Sequence, residues 1–369
     1  MTAPDTNALV ESVRTLVVVE SPTADIDSCA MAVSAAHGIC GHWITAPARI
    51  EEHEGRPVLR WGPQEPEVLL LGHLDTVWPL GTLERLPWAC DGSSLTGPGV
   101  FDMKAGVVQA IAAIGMLGLD PDDGVGLLLT TDEETGSHRS RAIISRAIAS
   151  ARAVLVFEPS LDGALKTSRK GTSWYQAELT GRAAHAGLDP ERGINALLAA
   201  AGLATATLGW ADPAAGTTVT PTMLTAGTTA NTVPAHASLT IDVRAWTAAE
   251  QQRVDASVRR WAPLEGSIAF DGGIDRPAME SSSSERLFKL AGECAAGLGL
   301  PPLAQASVGG ASDGNLTAAA GVATLDGLGA VGDGAHADHE WASVKDLAPR
   351  TALAAALIQR LLDERLDDK

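Results

Sequence analysis

The chain has 369 residues, with 45 acidic against 27 basic side chains, a formal net charge of −18, and an apolar share of 45%. That length exceeds one typical domain, the apolar share excludes an intrinsically disordered chain, and the charge disfavours nucleic acid or an anionic membrane as a partner. A single Tyr and four Phe beside 38 Gly point to closely packed helices on a sheet rather than an aromatic-rich β-sandwich.

The first residues, Met1 to Ser12, are polar and acidic and carry no basic-then-apolar leader pattern. No stretch approaches the roughly 20 apolar residues of a membrane span. Cys29, Cys40, Cys90 and Cys294 are scattered without C-x-x-C spacing. The expectation is a reduced, cytoplasmic protein with no membrane partner and no role for its thiols.

Leu9, Val10, Val13, Leu16 and Val17 recur at helix spacing, and a second amphipathic stretch follows Ser21-Pro22. Glu67 to Leu71 then reads as a buried strand, as do Val125 to Thr130, Ala153 to Phe157 and the shorter Val322 to Leu325. Helical patterns at Ala105 to Leu117 and Arg139 to Ala149 alternate with them. This alternation predicts an α/β fold with a mainly parallel sheet flanked by helices.

The rhythm changes from about Lys170 to Asp271. Strands are expected at Ser173 to Leu179, Thr217 to Thr225, Ala237 to Val243 and Ser267 to Phe270, with helices at Ile194 to Leu208 and Ala248 to Trp261. The order β-α-β-β-α-β matches a ferredoxin-like unit. Because α/β patterning resumes after Pro277, the expected layout is one domain over 1–169 and 278–369, interrupted by an α+β insertion over 170–277.

Chemistry-bearing residues collect just after the buried strands. Leu71 leads to Gly72-His73-Leu74-Asp75, Thr130 to Thr131-Asp132-Glu133-Glu134, Phe157 to Glu158, and the last apolar segment to Gly334-Ala335-His336. In open α/β sheets ligands bind beyond the carboxyl ends of the strands. Taken singly, a strand-end histidine is ordinarily structural, paired acids ordinarily open a helix, and Asp102 could serve a turn. Several carboxylates crowding one cleft instead call for a cation. Two His with three carboxylates suit zinc, or cobalt or manganese, and five ligands fit two sites sharing one carboxylate.

These segments are similar to the signatures of a dizinc family that contains glutamate carboxypeptidase, aminoacylase, acetylornithine deacetylase and succinyl-diaminopimelate desuccinylase. Gly72 to Val77 resembles the first signature, Gly97 to Gly106 with Asp102 the second, and Thr131 to Gly136 the third. The resemblance spans nearly the whole chain in order, and the glutamate carboxypeptidase branch is the nearest. It implies a zinc-exopeptidase-like catalytic domain, an inserted lid and two divalent metal ions.

Carried over position by position, His73 and Glu158 would hold one ion, His336 and Glu134 the other, and Asp102 would bridge them. Asp75 would orient His73, and Glu133 would act as general base. His336 rather than His339 matches the Gly-Ala-His signature with Glu340 four positions on. In the lid, His185 of Gly181 to Gly187 resembles an oxyanion-stabilising histidine, Asn231 a substrate contact, and Arg244 an anchor for a substrate carboxylate. Arg244 could equally pair with Asp242. Gly310, in Gly309 to Asp313, resembles a pocket-lining glycine.

The implied activity is hydrolysis of an amide bond in a small peptide or N-acyl amino acid bearing a free carboxylate, of carboxypeptidase type. An aminoacylase-like deacylase is the alternative. A homodimer through the lid is implied as well. A rival reading takes Gly310-Ala-Ser312-Asp-Gly314 as the G-x-S-x-G elbow of a serine hydrolase, with Asp326 or Asp333 and His336. It leaves His73, Asp102, Glu133, Glu134 and Glu158 without a role.

Overall fold

The computed structural model describes residues 4–367, with side chains of the last helix to 364. The outermost residues of the expected catalytic segments, 1–3 and 368–369, lie outside the described residues. The chain divides into two compact units: Met1–Ser168 with Ser281–Val308 and Ser312–Lys369, and Arg169–Glu280 with Gly309–Ala311.

In the first unit, α1 (Thr6–Val17) and α2 (Ile26–Trp43) are each started by an aspartate, Asp5 and Asp25, whose carboxylate accepts an otherwise orphaned backbone N–H. The main sheet follows: β1 (Arg49–His53), β2 (Arg56–Trp61), β3 (Val68–His73), β4 (Val125–Thr130) and β5 (Ala153–Val156). Its order is β1-β2-β4-β3-β5, closed by Thr324–Leu325. From β4 onward the strands are parallel, whereas the β1-β2 hairpin is antiparallel, so the sheet is mixed.

Strand alternation sorts the core onto two faces. Val68 and Leu70 pack with α1, α2, α3 (Ala105–Leu117) and the last helix, Val344–Asp367. Leu69 and Leu71 pack with Ile143 and Ile144 of α4 (Arg141–Ala147). Each fully buried Val or Leu contributes roughly 1.5–3 kcal/mol relative to exposure, so a sheet covered on both faces is a rigid base for its strand ends. The stretch Val100–Leu117 is apolar enough over its 18 residues to resemble a membrane span, contrary to the expectation from sequence, but 78% of it is buried in the core.

A second, antiparallel sheet in this unit joins Gly332–Asp333, Trp341–Ser343, Ser94–Thr96 and Ala89–Cys90. Its first two strands pair Gly332 with Ala342 and Asp333 with Trp341, so the segment carrying His336 is the tip of a hairpin.

The second unit holds β6 (Gly171–Thr180), α5 (Ala196–Ala206), β7 (Thr218–Ala226), β8 (His236–Ala245), α6 (Ala248–Arg260) and β9 (Ser267–Arg276). The sheet order is β7-β8-β6-β9, all antiparallel, with Tyr175, Leu239 and Ile241 packed against Leu203, Val254 and Val258 of the two helices. Arg169 and Met279, near the ends of this unit, exchange both backbone hydrogen bonds, at 3.0 and 3.1 Å. On the other side of that junction, Ser284 Oγ donates to the Thr167 carbonyl at 2.7 Å.

Candidate metal centre

His73 is the last residue of β3 and is 1% exposed. Its Nδ1 lies 2.9 Å from the Asp75 carbonyl and 3.5 Å from Asp75 Oδ1, which leaves Nε2 to face the cleft. Asp75, wholly buried, does more than sit beside His73. Its Oδ1 accepts from Glu133 N at 3.2 Å, and its Oδ2 accepts from Glu134 N at 3.2 Å and Thr23 Oγ1 at 2.7 Å. One carboxylate therefore ties the end of β3 to the turn that follows β4.

Four other side chains converge on that edge. His73 Nε2 stands 3.3 Å from Asp102 Oδ1 and 3.4 Å from Glu158 Oε1. His336 Nε2 stands 3.2 Å from Glu134 Oε2 and 3.6 Å from Asp102 Oδ2. The groups His73-Asp102-Glu158 and Asp102-Glu134-His336 each bring their ligand atoms within 4.8 Å of one another. Asp102 belongs to both and offers a different oxygen to each. Its peptide bond to Met103 is cis, and His336 adopts a left-handed backbone at φ 63°. Glu158 lies two residues past the end of β5, with its carbonyl accepting from Gly329 N at 2.9 Å.

The electrostatics are those of a site built for a cation. Burial pulls the His73 imidazole down, yet hydrogen bonds to Asp102, Asp75 and Glu158 outweigh it and raise the group well above the ordinary histidine value. The hydrogen bond to Glu134 leads in raising His336 to about 9. Burial raises Glu134, and the charge of Asp102 adds to that rise.

Glu134 Oε1 is buried with no hydrogen-bond partner, and Asp102 Oδ1, 3.3 Å from His73 Nε2, is buried with no hydrogen bond of good geometry. Such orphaned acceptors are costly unless something positive meets them. Two ligands about 2.1 Å from a tetrahedral zinc stand about 3.4 Å apart, and the four separations above bracket that value. The residues fit the group: these are two divalent-metal-binding sites sharing Asp102.

The remaining candidates fall elsewhere. Glu133 sits beside the second site, its backbone fixed by Asp75, and belongs to neither ligand group. His339 likewise belongs to neither. His185 and Asn231 lie together in the second unit, where the short strand Ala184–His185 pairs with Thr232–Val233 and Ala186 N donates to the Asn231 carbonyl at 2.9 Å. Both residues are exposed. Arg244 grips Asp242 with two nitrogens, Nε to Oδ1 at 3.0 Å and Nη2 to Oδ2 at 2.9 Å, so the salt bridge weighed from sequence is formed. Gly310 lies with the second unit, and its carbonyl accepts from Arg169 Nη1 at 3.0 Å.

Ser312 does not have the setting of a nucleophile. It is fully buried, donates to Asp326 Oδ2 at 2.6 Å and accepts from Gly314 N at 3.0 Å as the cap of helix Asp313–Ala319. His336, its supposed base, is turned to Glu134 and Asp102.

Three residues near the site carried no sequence signal. Thr23 acts only through Asp75, more than fifty positions away, and Ser21 beside it holds the Leu74 carbonyl at 2.7 Å. Lys166, on the strand Leu165–Arg169, helps lower Asp102 by its charge, after the larger effect of His73.

Comparison with known proteins agrees with this geometry. Residues 69–360 match peptidase family M20/M25/M40. Carboxypeptidase G2 from a Pseudomonas species is 30% identical over 312 residues, covering 80% of this chain and 74% of that one. Among solved structures, a tripeptidase from Staphylococcus aureus superposes with a TM-score of 0.73 at 19% identity, over 98% of this chain and 100% of that one. An M20 family metallo-carboxypeptidase from Sulfolobus solfataricus gives 0.70 at 16% identity, over 96% and 99%. At such identities these two structures speak to the fold.

Proposed function

The chain belongs to peptidase family M20/M25/M40 and is a metal-dependent hydrolase of amide bonds; from that premise we propose that it acts as a carboxypeptidase on small peptides or N-acyl amino acids with a free carboxylate. The observation that carries the reading is the pair of ligand groups sharing Asp102, with Glu133 held beside them by Asp75. The likeness to carboxypeptidase G2 supports the choice of branch.

Bound in these sites, divalent metals, zinc by donor type, supply Lewis-acid polarisation of the scissile carbonyl and a water acidified toward neutral pH. Glu133 takes the proton of the attacking water and delivers it to the departing nitrogen. Because Asp75 Oδ1 fixes the Glu133 amide, the base starts from a defined turn. His73 stays oriented through its Nδ1 contact with the Asp75 carbonyl. His185 donates to the carbonyl oxygen as charge gathers there. Arg244 exchanges Asp242 for the substrate carboxylate, a like-for-like swap of bidentate partners. Asn231 contacts the substrate, and Gly310 lines its pocket.

The test is a panel of dipeptides and N-acyl amino acids, each with a free or an amidated carboxyl end, assayed before and after chelation. Chelator-sensitive turnover of the free acids alone is expected. Equal turnover of the amidated compounds would overturn the carboxypeptidase reading. A marked preference for N-acetyl amino acids would move the assignment to an aminoacylase-like deacylase.

The reading includes a homodimer formed through the second unit. Support comes from β7, a sheet-edge strand on which Met223 and Leu224 remain exposed. Sedimentation at working concentration should give twice the chain mass, and a monomer there would overturn it.

A further inference from the structure

Glu340 is fully buried, and no Lys or Arg meets its carboxylate in an ion pair within 4 Å among the described residues. What meets it is a set of four N–H donors. Oε1 accepts from Phe101 N at 2.9 Å and Asp102 N at 3.1 Å. Oε2 accepts from Gly99 N at 2.9 Å and Trp78 Nε1 at 2.9 Å. These donors come from two segments around the centre: the loop after His73, and the loop that carries Asp102. Glu340 itself belongs to another, since its amide donates to the Ala337 carbonyl at 2.9 Å and closes the hairpin tip that carries His336.

We propose that Glu340 is the positioning residue of the metal centre, setting the separation between the shared ligand Asp102 and His336, and so the affinity of the second metal site. The proposal rests on the two-metal reading of the site. It follows from how the contacts are distributed. Asp102 carries two oxygens toward two histidines, and a small rotation of its backbone would improve one contact at the expense of the other. Its amide is pinned at Oε1 together with that of Phe101 before it, and the amide of the turn residue Gly99 is pinned at Oε2. The His336 hairpin is the other end of the same bracket. By contrast, Glu158 and His73 are held by the main sheet, which Glu340 does not touch.

The chemistry also says why a carboxylate is needed. All four partners are donors, and only an ionised carboxyl presents two oxygens that accept without donating. The isosteric change E340Q turns one oxygen into an NH₂ group that must then face two N–H groups. A buried acceptor lost in this way leaves its partners unsatisfied rather than merely weakening one bond.

The experiment is stepwise zinc titration of the metal-depleted full chain against a competing chromophoric chelator, for the unaltered protein, E340Q and W78F. The unaltered protein should show two zinc equivalents. In E340Q the weaker-held zinc should lose about 10- to 100-fold in affinity, the range expected when a partner that orients a ligand is removed, and the tighter one less. W78F removes one donor of four and should shift the same constant in the same direction by a smaller factor. Visible spectra of the cobalt-loaded proteins report the ligand geometry, and they should change in E340Q at equal cobalt occupancy. A residue that only stabilised the fold would lower the melting temperature of the metal-depleted protein and leave both zinc constants and the cobalt bands of the folded protein unchanged. That result, beside two zinc equivalents in the unaltered protein, would overturn the proposal. If E340Q does not fold, W78F decides, and unchanged constants there would overturn it equally. Failure of the unaltered protein to take up zinc would instead sink the metal reading on which the proposal stands.

Discussion

The two units place their functional side chains by different means. In the first, His73 and Glu158 are 1% and 6% exposed, one at the end of and the other two residues past a strand buried on both faces. Asp75 adds hydrogen bonds that tie the end of β3 to the turn after β4, and Glu340 adds bonds that tie the Asp102 loop to the His336 hairpin. In the second, His185 and Asn231 are exposed on a two-stranded ribbon, and Arg244 is occupied by a neighbour on its own strand. Chemistry that needs ligands held to a few tenths of an ångström sits where the core fixes them. Recognition, which can adjust to its substrate, sits on a surface that the core does not dictate.

That contrast can be broken, or sharpened, by substitution. The largest effect should come from Asp102→Ala, which removes a ligand from both sites. Activity should fall to background together with zinc content, and activity that persisted would break the contrast outright. Glu133→Gln should lower kcat by about 10²- to 10⁴-fold while elemental analysis still finds two metals. His185→Ala should cost about 10²- to 10³-fold in kcat, the range for loss of one oxyanion donor, again with full zinc. A loss of metal on changing His185 would show that the second unit helps to hold the centre. Arg244→Met should raise KM by about 10- to 100-fold, as loss of hydrogen bonds to a charged group implies, with little change in kcat.

The smallest effect concerns the second unit alone. Hydrogen bonds from Arg253 and Thr217 hold the Glu250 carboxyl down to about 2. A depressed carboxyl stabilises the fold above the ordinary carboxylate range, and that contribution is lost as pH falls toward about 2. Acid unfolding of this unit should therefore flatten in Glu250→Gln between about pH 4.5 and 2. An unchanged acid limb would assign the pH dependence to other groups.

How much was legible follows the same division. The parallel strands and α3 could be read because apolar residues run through them almost without a charge, and His73, Glu134 and Glu158 stood at or within a few residues of the ends of such strands. The β1-β2 hairpin could not. Its outer strand is Arg-Ile-Glu-Glu-His, and the buried strand inside it contains Pro57 and two arginines. The small sheet that presents His336 is made of two- and three-residue strands, too short to show a period. In β9 the expected strand stopped at Phe270, because Gly272 and Gly273 resemble a turn, yet the strand passes through both to Arg276. Gly272 has φ 86°, and a side chain there would strike the Trp174 carbonyl. The fork of Arg244 on Asp242 was visible as one option of two, and the folded strand, which sets the two side chains 2.9 Å apart, decides it for the free protein.

The paired backbone of Arg169 and Met279, with the Ser284 to Thr167 bond just outside it, has a consequence for how such a chain can arise. The insertion leaves the host chain and returns to it at one point, so the host gains a whole module for the entropy of closing a single loop, which grows only slowly with loop length. A gene could therefore acquire, exchange or lose this segment by one splice. The host polypeptide bridged by a short Gly-Ser link between Ser168 and Ser281 is the corresponding chain to build.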